Sequence, residues 1–328
     1  MHSTEQIVAR VRERARRYFP DIGEVAGVSV LAADRRAYSD IYRLAICDGD
    51  RRAYGVVVKV FPAAEVQFHA MAEVWPSFAS HPTWRIPRPL DCLEEGPALV
   101  METVSGAPLN RALPRLAWAG RRIPAAALAC GRAGQWLRFY HDLGLVEEAK
   151  TVDLPAKCDS LGESLDGLVG AGFDRARARE LPRRLAAMAE GLDGRAVRVS
   201  HVHGDFTVDN VLVDGPRITV LDLWAVSRSA VDHDIASFLN SLLLLRLTRP
   251  TPGAALGRLR QAFLDDYFAG DPYDDGLIRF LQAVGIADVA LEILGRRRSA
   301  LLRRWVLRGI ALALDEIAWA KGSRTHVV

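Results

Sequence analysis

Apolar positions change period twice along the chain. Near the start, "MHSTEQIVARVRERARRYF" sets Ile7, Val8, Val11, Ala15 and Phe19 among arginines, a spacing that predicts an amphipathic helix. Short runs rich in valine and isoleucine follow, "GVSVLAA", "DIYRLAIC", "YGVVVKVF" and "ALVMETV", and polar turns such as "CDGDRR" separate them. These predict strands. One helix interrupts the series: "AAEVQFHAMAEVWPSF" carries Val66, Ala70, Met71 and Val74 at helical spacing. Beyond about residue 104 long helical segments take over, from "PAAALACGRAGQWLRFYHDLG" to "ALLRRWVLRGIALALDEIAWAK". A compact island from Val197 to Leu223 returns to short strands and turns. The pattern predicts an α+β chain in two lobes, residues 1–103 and 104–328, with "SGAP", Ser105 to Pro108, as the hinge.

Bulk numbers narrow the function classes. With 328 residues, 50% hydrophobic and 25% charged, and a formal net charge of +3, the chain is long enough for two lobes with real cores. Cys47, Cys92, Cys130 and Cys158 are far apart and form no CxxC pair, so they read as reduced thiols rather than a disulfide frame or zinc knuckle. The first helix lacks the apolar core of a secretory signal, and "SLLLLRL", Ser241 to Leu247, is too short to span a bilayer. A cytoplasmic protein without a transmembrane segment is expected.

The chemistry concentrates in "VSHVHGDFTVDN", Val199 to Asn210. His201 and His203, two apart on a strand, point to one face and could both reach a zinc ion. A binuclear zinc site needs another histidine after Asp205, where this chain has Phe206, and the remaining histidines are scattered. Phosphoryl transfer fits the stretch better. That reaction needs an oriented hydroxyl nucleophile, and Mg²⁺ with a lysine to neutralise phosphate charge. Asp205 can accept the hydroxyl proton, and Asn210 presents a carbonyl oxygen to Mg²⁺. Asp222 supplies a second hard oxygen ligand at the end of the strand "RITVLDLW", twelve residues past Asn210 and joined to it through the Asp-Gly hairpin turn of "VLVDGP". An aspartate closing an apolar strand is expensive to bury without a cation or donor, which favours a metal and nucleotide site over simple turn formation.

Together these residues resemble the aminoglycoside phosphotransferase and choline kinase family of protein-kinase-like small-molecule kinases. "HGDFTVDN" is similar to the family's HGDxxxxN loop, "ITVLDLW" to its metal-binding strand, and "VDHDIASFL" to a downstream helix start. The resemblance implies a bilobal kinase-like fold with an antiparallel-sheet N-lobe and a mostly helical C-lobe. It also implies ATP, with GTP left open, and Mg²⁺. In the first lobe it assigns Lys59 of "YGVVVKVF" to the ATP phosphates, Glu65 as its partner with Glu73 as the fallback, and the backbone from Glu102 to Val104 to the adenine. Ser39-Asp40 resembles the Ser-Asn pair of the family's phosphate-covering turn, here without a glycine and with Asp40 in place of Asn, and Arg35 or Arg36 would offset the added negative charge. In the second lobe it makes Asp234 an anchor for the catalytic-loop backbone and His203 a loop-shaping residue.

The acceptor is less legible. From Val231 to the end there are eleven acidic and thirteen basic residues, so no acidic excess marks a polycationic substrate. "DDYFAGDPYDD", Asp265 to Asp275, is either one wall of a pocket or a solvated patch. Six arginines between Arg296 and Arg308 form a basic face with a tryptophan, suited to solvent first and to anionic lipid or a phosphorylated substrate second. No nucleic-acid reading module accompanies them. His141, Trp136, Phe139 and Tyr140 read as structural. The expected activity is transfer of the γ-phosphate to a hydroxyl of an antibiotic, sugar or amino alcohol. A catalytically weak, nucleotide-binding regulatory protein of kinase shape is the alternative that the glycine-poor turn motivates.

Overall fold

Ser3 starts the first helix. Its hydroxyl accepts the Gln6 N–H at 3.2 Å while the Gln6 side chain accepts the Ser3 N–H at 2.9 Å, a reciprocal cap that opens α1 (Thr4–Tyr18). The computed structural model describes residues 3–36, 38–93, 97–117, 123–189, 191–192, 194–223, 228–248, 253–296 and 299–319. After α1 come β1 (Val25–Arg35), β2 (Asp40–Asp48), β3 (Ala53–Val60), α2 (Ala64–Ala79), β4 (Trp84–Arg85), β5 (Pro89–Leu93) and β6 (Ala98–Glu102). Next are β7 (Ala107–Pro108), α3 (Leu109–Ala117), α4 (Ile123–Leu143), β8 (Val146–Thr151), α5 (Leu154–Gly170), α6 (Arg175–Ala189) and β9 (Ala196–His201). The chain ends through β10 (Val211–Asp214), β11 (Arg217–Val220), β12 (Arg228–Ala230), α7 (Asp232–Thr248), α8 (Gly253–Phe268), α9 (Asp275–Arg296) and α10 (Ala300–Trp319). An antiparallel sheet followed by a mostly helical region is the α+β class that the hydrophobic pattern predicts.

Backbone contacts divide the chain into two units. The first combines Met1–Gly106 with Leu212–Val226; the second combines Ala107–Val211 with Ser227–Val328. In the first unit a five-stranded sheet has the order β1-β2-β3-β6-β5, with every neighbouring pair antiparallel. Side chains alternate across it. Tyr42, Leu44, Ile46, Val56, Val58, Ala98 and Val100 form one buried face and pack against Ile7, Val11, Ala15 and Tyr18 of α1. Tyr18 and Arg14 also reach Asp91 on β5, whose Oδ2 accepts from them at 2.9 and 2.7 Å, so this buried carboxylate ties the helix to the sheet.

The other helix of this unit turns differently from its sequence pattern. α2 buries Ala64, Gln67, Ala70, Met71, Val74 and Phe78, whereas Val66, expected on the inner face, is 48% exposed. The inner stripe therefore runs through Ala64 and Gln67 and not through Val66. Helix α2 packs against β4, β5 and β6, and β4 runs parallel to β11 with Ile218 opposite Trp84.

The second unit holds a separate core. Leu165 of α5, Leu185 of α6, Ile286 of α9 and Ile310 of α10 meet in it and are all fully buried. Elsewhere in this unit α4 and α8 approach closely, because a Cβ on Gly134 would stand 2.4 Å from the Phe263 carbonyl oxygen. A short antiparallel sheet, β12-β9-β8, brings the chain to the start of the histidine-rich loop.

Candidate active site

The loop after β9 is held from below by one carboxylate. Asp234, in the first turn of α7 and 1% exposed, accepts the His203 N–H at 2.6 Å through Oδ2 and the Gly204 N–H at 2.9 Å through Oδ1. Gly204 has φ +81°, a conformation that favours glycine, and this sharp bend follows His203 directly. His203 is buried, and its Nδ1 accepts the Asp205 N–H at 3.2 Å. Further along, Phe206 stacks on Trp136 with centroids 5.8 Å apart, the Ser241 hydroxyl accepts the Val208 N–H at 3.0 Å, and the Val208 carbonyl accepts the Asn110 N–H at 3.0 Å. The anchors come from three helices, Asn110 from α3, Trp136 from α4, and Asp234 and Ser241 from α7. The loop ends by closing on itself, with Asn210 Nδ2 donating to both the carbonyl and Oδ2 of Asp205 at 2.9 Å.

His141 completes this support, and sequence reasoning assigned it only a general structural part. It is fully buried, with Nε2 at 3.0 Å from Asp234 Oδ2 and Nδ1 at 2.8 Å from the Tyr267 hydroxyl. Burial pushes the Asp234 carboxyl up, but the hydrogen bond and charge of His141, with the backbone donor of His203, outweigh it and leave the group below its ordinary range. A local signal existed: His141 closes the inner face of an aromatic helix. Its partner lies 93 residues away.

In the first unit the structure joins Lys59 to Asp222. Lys59 on β3 is 6% exposed, and its Nζ lies 2.8 Å from Asp222 Oδ1 and 4.7 Å from the Phe61 ring centroid. Asp222 follows β11 with φ +55°, a left-handed conformation that aspartate tolerates better than most residues. Glu65 does not occupy the predicted place beside Lys59. It lies on the solvent side of α2, its side chain 77% exposed and 3.8 Å from His69, and Glu73 is exposed too. The buried polar residue of this helix is Gln67, which the apolar spacing passed over.

The remaining first-unit residues fall at edges. Ser39 closes the turn between β1 and β2, where its carbonyl accepts the Arg36 N–H at 2.9 Å; Ala37 lies outside the described residues. Glu102 and Val104 border a hollow of ≈ 300 Å³ that Trp75, Arg88 and Arg217 also line. The backbone N–H groups of Glu102 and Thr103 are committed to the Arg88 and Gly55 carbonyls, both at 3.0 Å.

Asp205 and Asn210 open onto a larger hollow within the second unit, of ≈ 810 Å³. Its walls are Ser237 and Leu244 of α7, Val284, Asp288 and Glu292 of α9, and Leu302 and Trp305 of α10, with Lys157 and Arg111 adding positive charge. The acidic stretch from Asp265 to Asp275 takes no part in it. Asp271 pairs with Arg138 at 2.8 Å, Asp274 caps α9 through the Leu277 N–H at 3.0 Å, and Asp275 pairs with Arg260 and Arg279. Of the basic segment, Arg304 and Arg308 are exposed on α10 beside Leu301 and Trp305, while Arg297 and Arg298 lie outside the described residues. Among the described residues no helix is long and apolar enough to cross a membrane.

A family described as the phosphotransferase enzyme family matches residues 37–273, a span that includes Ser39, Lys59, the loop after β9, Asp222 and Asp234. The chain belongs to this family. As a phosphotransferase-family small-molecule kinase it shares its fold with solved structures at low identity. A glucosamine kinase is 18% identical with a TM-score of 0.60, covering 92% of this chain and 97% of that one. A choline kinase from Cryptosporidium parvum Iowa II is 10% identical with a TM-score of 0.63, covering 96% and 95%. An aminoglycoside 2'-phosphotransferase-IIIa, solved as its GDP complex, is 16% identical with a TM-score of 0.54, covering 95% and 98%. No curated protein sequence matches the chain.

Proposed function

We propose that this phosphotransferase moves the γ-phosphate of ATP to a hydroxyl group of a small molecule held in the hollow beside Asp205. The observation that carries the reading is the state of that loop. Asp205 sits on a backbone pinned by a buried carboxylate, and its Oδ2 is oriented by Asn210 at 2.9 Å, while the carboxylate itself lines a space of ≈ 810 Å³. Small-molecule sites have volumes of roughly 300–1,000 Å³. As the acceptor oxygen bonds to the γ-phosphorus and the bond to the departing diphosphate breaks, Asp205 takes the hydroxyl proton.

The donor set suits Mg²⁺. Asn210 spends its Nδ2 on Asp205, which leaves the amide oxygen as the atom to offer, and Asp222 adds a carboxylate; both are the hard oxygen ligands that Mg²⁺ prefers. A bound Mg²⁺ would neutralise charge on the phosphates. Lys59 serves the same phosphates with its ammonium, Ser39 covers them from the β1–β2 turn, and Val104 meets the base. GTP fits these roles equally well. His203 and Asp234 hold the loop and touch no substrate. Four unbridged cysteines support a cytoplasmic setting, where nucleotide triphosphate is abundant.

The walls of the hollow support an acceptor with both apolar surface and charge, since Leu244, Val284 and Trp305 alternate with Asp288, Glu292 and Lys157. An amino alcohol, a sugar or an antibiotic of that character meets the description. The test is Mg²⁺-dependent ATP turnover across a panel of hydroxyl compounds with the parent protein and Asp205→Asn. The variant is expected to lose transfer by about 10²- to 10⁴-fold while keeping its melting temperature. Turnover unchanged in the variant would remove Asp205 as the base, and no turnover with any acceptor would favour a regulatory, nucleotide-binding role.

A further inference from the structure

Gln67 is 1% exposed, yet neither amide atom has a hydrogen-bond partner among the described residues. Buried polar side chains are paired in the large majority of cases, because an unmade hydrogen bond leaves the full desolvation cost standing. An apolar residue would avoid that cost, and Met71, Val74 and Phe78 show that the inner face of α2 otherwise uses them.

The position of the amide points to its use. Gln67 lies three residues into α2, roughly 5 Å along the axis from the point where β3 hands over to the helix through Phe61, Pro62 and Ala63. Lys59 stands on the same side of the sheet. Its cross-strand neighbours are Ile41 and Leu99, which alternate with the residues facing α1, and α2 packs on β5 and β6. The Lys59 ammonium lies over the ring of Phe61, a residue whose carbonyl accepts the Ala64 N–H at 3.3 Å at the start of α2.

We propose that Gln67 is a positioning residue for Lys59, its amide oxygen receiving the ammonium from the α2 side whenever Asp222 is not holding it. The inference rests on the reading above, in which Lys59 serves nucleotide phosphates. An amide in this place has a consequence that a carboxylate lacks: it orients the lysine by hydrogen bonding without neutralising it. The whole positive charge of Lys59 then remains for the triphosphate.

Gln67→Leu and Gln67→Glu separate this role from packing. Gln67→Leu keeps the volume and removes both polar atoms, so its nucleotide-free melting temperature should equal or exceed the parent value. Its KM for ATP and its dissociation constant for ADP should nevertheless rise roughly tenfold or more, with the KM for the acceptor unchanged. Gln67→Glu retains an acceptor oxygen and should recover part of the lost nucleotide affinity, short of the parent value because its carboxylate neutralises Lys59. Unchanged nucleotide affinity in Gln67→Leu overturns the proposal, as does a loss matched by a fall in melting temperature that Gln67→Glu does not reverse. Failure of the parent protein to bind ATP or ADP would overturn the phosphotransferase reading itself, a result these variants do not produce.

Discussion

His141 Nε2 and Asp234 Oδ2 meet at 3.0 Å with both side chains buried, and the same carboxylate carries the backbone of His203 and Gly204. One ion-pair partner thus supports the loop that presents Asp205, and the other reaches back to Tyr267 on α8. Removing the carboxylate strands a buried imidazole and two backbone donors together. Asp234→Ala should cost about 3–5 kcal/mol in urea denaturation. Glu65→Ala, on the exposed side of α2, should stay within about 0.5 kcal/mol of the parent. Equal effects for the two would contradict the anchor.

The Lys59–Asp222 pair predicts a coupled loss of stability and ligand response. Asp222→Asn is the informative change, because asparagine also tolerates the +55° φ that alanine would strain. It removes the charge facing a nearly buried lysine while Asp222 itself is about a third exposed, so the stability loss should be near 2 kcal/mol. In a thermal melt the variant should no longer gain protection from nucleotide plus Mg²⁺. Retained protection would take Asp222 out of the metal site.

Two glycines test helix packing from opposite sides. Gly134→Ala drives a Cβ to 2.4 Å from the Phe263 carbonyl oxygen, between α4 and α8, and should destabilise by about 1–3 kcal/mol. A Cβ on Gly162, inside α5, would meet nothing within 4 Å, so Gly162→Ala should stabilise by roughly 0.5–1 kcal/mol. Chemical denaturation of both variants checks the pair.

Acid should weaken the fold in two stages. His233 has its pKa lowered by burial, with Lys157 adding to the effect, so the unfolded chain takes up this proton near pH 6.5 before the native state does. Stability therefore falls as pH drops below about 6.5. Asp234 and Asp275 are held below the usual 3.8, so their contribution, present above that value, is lost as pH falls beneath it. Asp209 and Asp232, raised by burial, act in the opposite sense just above 3.8, because the native state protonates them first. Urea midpoints from pH 7 to pH 3 should show both stages, and His233→Gln should reduce the first one, leaving the share of His81, whose pKa burial also lowers.

Much of the candidate site was legible because its parts are local. Asp205, Asn210 and Asp222 lie within eighteen residues, and turn chemistry with an aspartate closing an apolar strand marks them without any knowledge of the rest of the chain. The strands around "DIYRLAIC", "YGVVVKVF" and "ALVMETV" were legible for a similar reason, since short runs rich in valine and isoleucine between polar turns mark strands locally. Glu65 and Gln67 show the limit. Hydrophobicity ranks Val66 above Gln67, so the pattern put Val66 on the inner face of α2 in place of Gln67, and the family resemblance assigned Lys59 a carboxylate that the fold leaves in water.

By itself, then, the order of residues determined the element types, the α+β class and the likeness to the phosphotransferase family, all of which depend on neighbours a few positions apart. Only the tertiary structure decided that Lys59 meets Asp222 across 163 positions, that His141 locks Asp234 across 93, and that Gln67 is the polar residue inside α2. Those contacts are set by which helix covers which sheet face and at what rotation. That choice minimises exposed apolar area over the whole unit, and no short window of sequence contains it.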